Sequence, residues 1–172
     1  MTKTLILFRH AKSTWAENVE DHERPLAERG RKAAPVMAKW LAGKGLKPAV
    51  ALVSTARRTQ ETWALIAPEL GKVTKRDVGE IYEAPAERIL DAIHAVEHTV
   101  ERLVIVGHNP GMEDLAKLLM KGDGGKAGAE MRKKFPTAAI AVLDLPVDDW
   151  TEVRSHIADL RDFVTPKTLT SP

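Results

Sequence analysis

The sequence predicts an α/β fold, a three-layer sandwich in which a mostly parallel central sheet carries helices on both faces. Two observations lead to it: short apolar runs typical of strands buried on both faces, and amphipathic stretches that fill the intervals between them. Strands that alternate with helices favour parallel pairing, because a parallel connection must cross over the sheet. The apolar runs are, in chain order, Leu5 to Phe8, Val50 to Val53, Leu103 to Val106 and Ala139 to Leu143.

Four stretches have the apolar spacing of helices that pack against a sheet. In the first, Pro35 is expected to begin or kink the regular part, because proline lacks a backbone N–H. In the fourth, Asn109 is expected to cap the helix and Pro110 to occupy its first position. The apolar faces are Ala33, Val36, Met37, Trp40 and Leu41; Trp63, Ile66, Ala67 and Leu70; Ala86, Ile89, Leu90 and Ile93; and Met112, Leu115, Ala116 and Leu119.

Two segments are predicted to lack regular structure. Residues Gly122 to Gly128 are rich in glycine and are expected to be flexible, and residues Pro166 to Pro172 are expected to form a fraying tail. A glycine next to a lysine in the first segment could suggest a nucleotide-binding loop. That loop needs a preceding strand, a following helix and a Gly-Lys-Ser/Thr ending, none of which the sequence offers there.

Composition limits the classes to which the chain can belong. Its 172 residues predict a single domain, over residues 1–172, that buries a full core. The net charge of +2, from 26 basic and 24 acidic residues, indicates neither a nucleic-acid nor a membrane partner. The absence of cysteine excludes disulfides, thiolate metal sites and a cysteine nucleophile. No apolar stretch approaches about 18 residues and no signal-peptide pattern is present, so the expected location is the cytoplasm.

Basic side chains follow three of the predicted strands, at the edge where open α/β sheets bind ligands. Arg9 and His10 follow the first run, Arg57 and Arg58 begin the helix after the second, and His108 follows the third. A neutral imidazole can attack phosphorus, and guanidinium groups donate to the non-bridging phosphate oxygens. A solvated loop residue is the alternative at each position, but three such strand ends together indicate phosphoryl chemistry.

The segments around these residues resemble the signature segments of the histidine phosphatase superfamily, which is also described as phosphoglycerate-mutase-like. The signature segments are Arg9-His10-Ala11-Lys12-Ser13, Ser54-x-x-x-Arg58-x-x-x-Thr62 and Gly107-His108. Three further features resemble the SixA-type phosphohistidine phosphatases: the short chain, Arg24-Pro25-Leu26 followed by Glu28-Arg29-Gly30, and Phe135-Pro136-Thr137-Ala138-Ala139. The similarity spans nearly the whole chain.

The resemblance implies catalytic roles for five residues. His10 would be the phosphorylated nucleophile, and Arg9, Arg58 and His108 would form the phosphate pocket with it. Glu83 matches the stretch in which mutase relatives carry their proton donor, with Glu80 as the second candidate, and the alternative for Glu83 is a capping or surface carboxylate.

Other residues are candidates for substrate binding or depart from the family pattern. Arg24 would add a contact typical of the SixA-type branch, Ser13 would touch phosphate or stabilise the turn, and Asn109 is a further binding candidate. Ala11 replaces the glycine that follows the nucleophile, which is tolerable if its φ is negative. Trp15 and the alanine after it occupy positions near which mutase relatives carry asparagine, and this weakens a mutase interpretation.

The resemblance implies a phosphatase that works through a covalent phosphohistidine intermediate, with no metal ion and no other cofactor. The expected substrate is phosphohistidine in a protein, because little chain separates the first two signature segments and the site should admit a protein side chain. Two alternatives stay open: a phosphatase or mutase-like phosphotransferase acting on small phosphoesters, and a non-catalytic phosphate-binding adaptor. His94 and His98 have the spacing of a metal pair but are interpreted as part of a solvated helix face.

Overall fold

The structure, a computed structural model, describes residues 2–170 and contains six strands, six α-helices and three short 3-10 turns within them. The strands are β1 (Lys3–Arg9), β2 (Val50–Val53), β3 (Thr74–Asp77), β4 (Arg102–Gly107), β5 (Ile140–Leu145) and β6 (Asp159–Val164). The helices are α1 (Glu28–Gly43), α2 (Arg57–Leu70), α3 (Ala86–His94), α4 (Gly111–Leu119), α5 (Gly125–Lys133) and α6 (Pro166–Thr170). Across this described range, no helix has both the length and the apolar character needed to cross a bilayer.

All six strands form one sheet in the order β3-β2-β4-β1-β5-β6. The pairs β3/β2, β2/β4 and β4/β1 are parallel, whereas β1/β5 and β5/β6 are antiparallel. The α/β class and the mostly parallel sheet predicted from the sequence are therefore confirmed. The antiparallel β5 begins at the edge where β1 ends, because the two strands run in opposite directions.

Helices cover both faces of the sheet, and alternate residues of β1 point to opposite sides. Leu5 and Leu7 belong to the core that contains α3 and α4, whereas Ile6 and Phe8 belong to the core that contains α1 and α2. Because every side chain from Leu5 to Phe8 is fully buried, β1 is the unbroken apolar run expected of a strand covered on both faces.

Helix α1 differs from the sequence prediction at its start and in its buried face. It begins at Glu28 and continues through Pro35, so proline neither starts it nor limits its length. Val36 is 39% exposed, although it was assigned to the apolar face. The buried face is shifted to Ala34, Met37, Ala38 and Leu41, which belong to the same core as the buried residues of α2.

The two segments expected to lack regular structure contain helices. Helix α5 starts at Gly125, inside the glycine-rich segment, and the Asp123 carboxylate accepts from the Gly125 N–H at 2.9 Å. Helix α6 occupies residues 166–170 of the expected tail, and Thr165 and Thr168 exchange side-chain-to-backbone hydrogen bonds at its start. Leu169 of α6 packs against the core beside α1. Residues 171 and 172 of the expected tail lie outside the described residues.

The start of α4 also differs by one position from the prediction. Its first residue is Gly111, so Pro110 occupies the cap position and Asn109 precedes it. The Asn109 Oδ1 atom nevertheless accepts from the Glu113 N–H at 3.1 Å and satisfies one donor of the first turn.

Candidate active site

The ends of three neighbouring parallel strands bring the candidate residues together. His10 follows β1 and donates its backbone N–H to the Gly107 carbonyl of β4 at 3.0 Å. Ser54 follows β2 and donates its backbone N–H to Val106 at 3.1 Å. The rings of His10 and His108 consequently face one another, with centroids 5.3 Å apart.

The His10 side chain is held in one tautomer by its own loop. Its Nδ1 atom lies 2.8 Å from the Ala11 carbonyl oxygen, and the residue is 5% exposed. A carbonyl oxygen can only accept, so Nδ1 carries the hydrogen, and in the neutral ring the lone pair lies on Nε2.

A hydrogen bond to α2 and a close backbone approach of α1 shape the loop that carries His10. Ala11 has a negative φ, so the methyl group that replaces the family's glycine introduces no backbone strain, and its N–H is bonded to Thr62 Oγ1 at 3.0 Å. Gly30 of α1 lies against Lys12, where a Cβ atom would be 2.2 Å from the Lys12 carbonyl oxygen. Glycine at position 30 therefore allows α1 to approach the nucleophile loop.

Three arginines surround the two imidazoles, and each is anchored by a terminal nitrogen. Arg9 Nη1 donates to the Phe135 carbonyl at 2.8 Å, and Arg58 Nη1 donates to the Asp21 carbonyl at 2.7 Å. Arg24 Nη2 donates to Ser13 Oγ at 2.8 Å. These bonds fix the guanidinium planes before any ligand arrives.

The remaining nitrogens of these side chains form a group of unsatisfied donors. Among residues 2–170, five buried side-chain nitrogen or oxygen atoms lack a hydrogen-bond partner: Arg9 Nε, Arg24 Nε, Arg24 Nη1, Arg58 Nε and His108 Nδ1. All five belong to candidate site residues. Guanidinium nitrogens only donate, and a buried unpaired donor is costly, so the arrangement suits an anion with several acceptor oxygens.

Burial and positive neighbours keep both imidazoles neutral. The pKa of His10 is lowered to about 3, mainly by burial and also by the charges of Arg9, Arg58 and Arg24, while the hydrogen bond to Ala11 acts in the opposite direction. The pKa of His108 is also lowered to about 3, first by burial, then by the repulsion it would meet from His10 if both rings were protonated, and then by the charge of Arg58. Both rings can therefore act as neutral bases or nucleophiles near neutral pH.

Glu83 lies at the mouth of the site and contacts two candidate residues. Its Oε1 atom is 2.6 Å from Arg58 Nη2 and 3.4 Å from His108 Nδ1, and its side chain is 45% exposed. Its φ of +49° is in the left-handed region, which is uncommon for a residue with a side chain. A Cβ on Gly111 would lie 2.2 Å from the Ala84 carbonyl oxygen, so α4 packs directly against the loop that carries Glu83.

Three residues of the site had no predicted role. Asp21 accepts from Arg58 Nη2 at 3.1 Å and from the Tyr82 hydroxyl, and burial together with Asp21 raises the pKa of Tyr82 to about 12. Ser54 Oγ lies 2.8 Å from His108 Nε2. Ser54 was visible as a motif letter, whereas no local pattern in the sequence links Asp21 to Tyr82, 61 positions away.

The substrate-binding candidates differ in their surroundings. Arg24 and Ser13 are buried, and the Arg24 guanidinium stacks on Trp15, 3.6 Å from the ring centroid, although Trp15 itself is 78% exposed. Asn109 already donates to the Phe135 carbonyl at 3.1 Å and accepts from Glu113, so its contacts are with the walls of the site.

Arg57 and His94, which the sequence also singled out, form contacts outside the candidate site. Arg57 is exposed and pairs with Glu61 at 2.7 Å. His94 is half-buried, and its Nε2–H donates to the Val153 carbonyl, so the interpretation of a fully solvated face is wrong for this residue. Within the described part of the chain, no group of three or more His, Cys, Asp or Glu side chains could hold a metal ion.

Comparisons with known proteins show the family to which the chain belongs. The family model of the histidine phosphatase superfamily (branch 1) matches residues 5–78. An uncharacterised protein of Mycobacterium tuberculosis is 35% identical over 163 residues, which cover 92% of this chain and 99% of that protein.

Solved structures of SixA proteins are similar to this chain over nearly its whole length. A proposed phosphohistidine phosphatase SixA from Agrobacterium tumefaciens is 30% identical, with a TM-score of 0.78 over 95% of this chain and 98% of that one. A proposed SixA from Nakamurella multipartitia is 29% identical, with a TM-score of 0.86 over 96% of this chain and 97% of that one. The protein histidine phosphatase SixA complexed with tungstate, at 20% identity and a TM-score of 0.79, shares the fold over 97% of this chain and 99% of its own.

Proposed function

Since the chain belongs to the histidine phosphatase superfamily, in its SixA-type branch, and is a phosphatase, we propose that it hydrolyses phosphohistidine in a protein through a phosphoryl intermediate on His10. The observation that carries the proposal is the His10 ring, whose Nε2 lone pair is left free beside the unpaired donors of three arginines. This arrangement supports the assignment of His10 as the nucleophile and of the arginine donors as an oxyanion pocket.

In the first step the phosphoryl group moves from the substrate to His10. The Nε2 lone pair forms a bond to phosphorus while the bond from phosphorus to the substrate's imidazole nitrogen breaks. The unpaired N–H groups of Arg9, Arg24 and Arg58 donate to the three non-bridging oxygens and stabilise their charge in the transition state. The leaving nitrogen takes up a proton from solvent, which the solvent-exposed Glu83 carboxylate relays to it.

In the second step water releases phosphate from His10. The water oxygen bonds to phosphorus, the bond from phosphorus to Nε2 breaks, and Glu83 takes a proton from the water. Glu83 fits this exchange because it is bonded to Arg58, which binds the phosphoryl group, and is open to solvent. The charge compensation comes from arginine, so we propose that no metal ion takes part, and turnover should survive exhaustive treatment with a chelator.

Two features support a protein substrate over a small phosphoester. The chain between β1 and β2 consists of a loop with one 3-10 turn and α1, which leaves no capping domain over His10. The two solved relatives near 30% identity are described as SixA phosphohistidine phosphatases. A phosphohistidine side chain projecting from a protein could then reach Nε2.

The test is turnover and trapping with matched substrates. Wild type and His10→Ala are compared on a phosphohistidine protein, on phosphoimidazole and on sugar and glycerate phosphates, and the enzyme is quenched in alkali to look for a phosphoryl group on His10. We expect His10→Ala to lose both turnover and labelling. Near-normal turnover by His10→Ala would contradict the covalent mechanism, and a preference for the phosphoesters would favour the small-molecule alternative.

A further inference from the structure

A second feature of the molecule, distinct from the candidate site, is a cleft of about 1100 Å³ between α1, α5 and α6. Six basic side chains line it, against one carboxylate, that of Glu130. We call it the basic cleft. Its cations are Lys12, Arg29, Lys32, Lys133, Lys134 and Lys167.

The basic cleft shares a wall with the candidate active site. Lys12, on one side of the cleft, is two residues after His10. On the floor, the Ala138 N–H lies 2.9 Å from the His10 carbonyl and 3.1 Å from the Arg9 carbonyl. The same segment gives its Phe135 carbonyl to Arg9. A protein whose phosphohistidine enters the site would therefore lie with an adjoining surface over the cleft.

Most of the positive charge in the basic cleft is uncompensated. Lys32 pairs with Glu28 at 3.8 Å and Lys133 with Glu130 at 3.5 Å. The other four cations form no ion pair within residues 2–170. Because the whole chain carries a net charge of only +2, the cleft is a local concentration of positive charge, which attracts an anionic partner.

The shape of the basic cleft fits a protein surface better than a small anion. Its cations are exposed side chains from three helices and two loops, and no buried donor converges on one point as the arginines do around His10. Its volume exceeds the usual range of about 300 to 1,000 Å³ for small-molecule pockets. Between the cations lie apolar surfaces of Ala33, Val36 and Phe163, which the aliphatic stems of glutamate side chains can cover.

We propose that the basic cleft docks an acidic surface of the protein substrate next to its phosphorylated histidine. This inference rests on the proposed function. Exposed charge pairs act mainly on the rate of encounter and on the choice of partner, so the cleft should raise kcat/KM for acidic substrates and leave the chemical step unchanged.

The test uses two synthetic peptides that carry one phosphohistidine each, one with a Glu-rich flank and one with a Gln-rich flank of equal length. For wild type we expect kcat/KM to be about tenfold higher for the Glu-rich peptide at about 0.05 M salt, and the two values to converge at about 0.5 M salt. Equal values at both salt concentrations would overturn the proposal.

Two double variants that reverse charge test whether the preference for the Glu-rich peptide arises in the basic cleft. Lys134→Glu with Lys167→Glu, one directly after α5 and the other in α6, should abolish the preference for the Glu-rich peptide and leave phosphoimidazole turnover unchanged. The control is Lys47→Glu with Lys72→Glu, which makes the same change in net charge near the opposite edge of the sheet, at the starts of β2 and β3. If both double variants lose the preference for the Glu-rich peptide, the preference depends on the net charge of the protein, and the proposal that the basic cleft docks the substrate is overturned.

Direct binding separates a failure of docking from a failure of the proposed function. Anisotropy of a fluorescent, unphosphorylated Glu-rich peptide is measured with wild type and both double variants, alongside a single-stranded oligonucleotide. Peptide binding that only the cleft variant loses supports the proposal even if no phosphohistidine is hydrolysed. Absence of peptide binding, or cleft-dependent binding of the oligonucleotide alone, overturns it.

Discussion

Arg58 connects the negative and positive groups of the candidate site. It is 1% exposed and donates to the carbonyl and carboxylate of Asp21 and to the Glu83 carboxylate, while its Nε finds no partner. The two carboxylates offset the cost of burying a cation, and the bonds to them hold one edge of the guanidinium ready for a ligand.

Removal of the Arg58 side chain should slow the chemical step. We expect Arg58→Ala to lower kcat by about 10²- to 10³-fold, as loss of one preorganised donor does in other enzymes. Steady-state phosphate release with phosphoimidazole measures it. Arg57→Ala, which removes the exposed neighbour paired with Glu61, is the control and should stay within about twofold of wild type. Equal losses in both variants would contradict the assignment of Arg58.

The protonation state of His10 gives a second prediction at the same scale. Its pKa is lowered to about 3, so the ring should remain neutral, with its hydrogen on Nδ1, from neutral pH down to about pH 5. Nitrogen-15 NMR of the imidazole reports both the tautomer and the titration. A midpoint at about pH 6.5, the value for a histidine in water, would show that burial and the surrounding arginines do not act on this ring as described.

At the scale of elements, the site depends on how closely α1 and α4 approach two loops. Gly30 of α1 packs on the Lys12 backbone, and Ala27, just before α1, donates its N–H to the Lys12 carbonyl at 2.8 Å. Gly111 of α4 packs on the Ala84 carbonyl. The helices therefore position the nucleophile loop and the Glu83 loop through their backbones.

Two glycines of α1 offer a matched pair of substitutions. Gly30→Ala would place a methyl group 2.2 Å from the Lys12 carbonyl oxygen, so we expect a loss of about 1 to 3 kcal/mol in the free energy of unfolding and a lower kcat. Gly43→Ala meets no atom within 4 Å, and it should be neutral or stabilising by up to about 1 kcal/mol. Urea unfolding of both variants tests this, and an unaffected Gly30→Ala would contradict the close approach.

The elements also show which parts of the fold a sequence can predict. The predicted strands were those buried on both faces, whose apolar runs are unbroken. Edge strand β3 was missed because its sequence, Thr-Lys-Arg-Asp, is polar and mostly exposed. Helix α5 was missed because its first turn contains the glycines that usually indicate a loop.

The same distinction applies to the candidate site. His10, Arg58 and His108 could be predicted because each follows a recognisable strand and stands in a motif. Asp21 and Tyr82 could not, since their roles arise from contacts between distant segments that carry no local pattern.

For the molecule as a whole, two buried neutral histidines make stability depend on pH. The pKa values of His10 and His108 are about 3 in the folded state, whereas an unfolded histidine titrates near about 6.5. Between these values the unfolded chain binds more protons than the folded one, so the free energy of unfolding falls as the pH falls. Above about pH 6.5 both states are unprotonated and the effect vanishes.

Unfolding in urea at several pH values should reveal this dependence. Between about pH 6.5 and 5, where carboxylates stay ionised, we expect a loss of about 1 to 2 kcal/mol for each of the two rings. His10→Asn should remove its share of the slope, and His98→Asn, at an exposed position, is the control. Phosphate must be absent from the buffer, because an anion bound among the arginines would stabilise the folded state. Parallel slopes for all three proteins would contradict the burial of a neutral ring at position 10.

The reversal of direction between β1 and β5 has a consequence for how this scaffold can diversify. Strand β1 ends at the edge of the sheet that carries the candidate site, and β5 begins there. The segment just before β5 therefore forms part of this edge, although it is not the segment that carries His10. Lengthening that approach by a few residues before Phe135, whose carbonyl holds Arg9, would remodel the entrance and leave the ladder hydrogen bonds of β1 intact. Selectivity and reactivity are thus carried by separately variable stretches of chain.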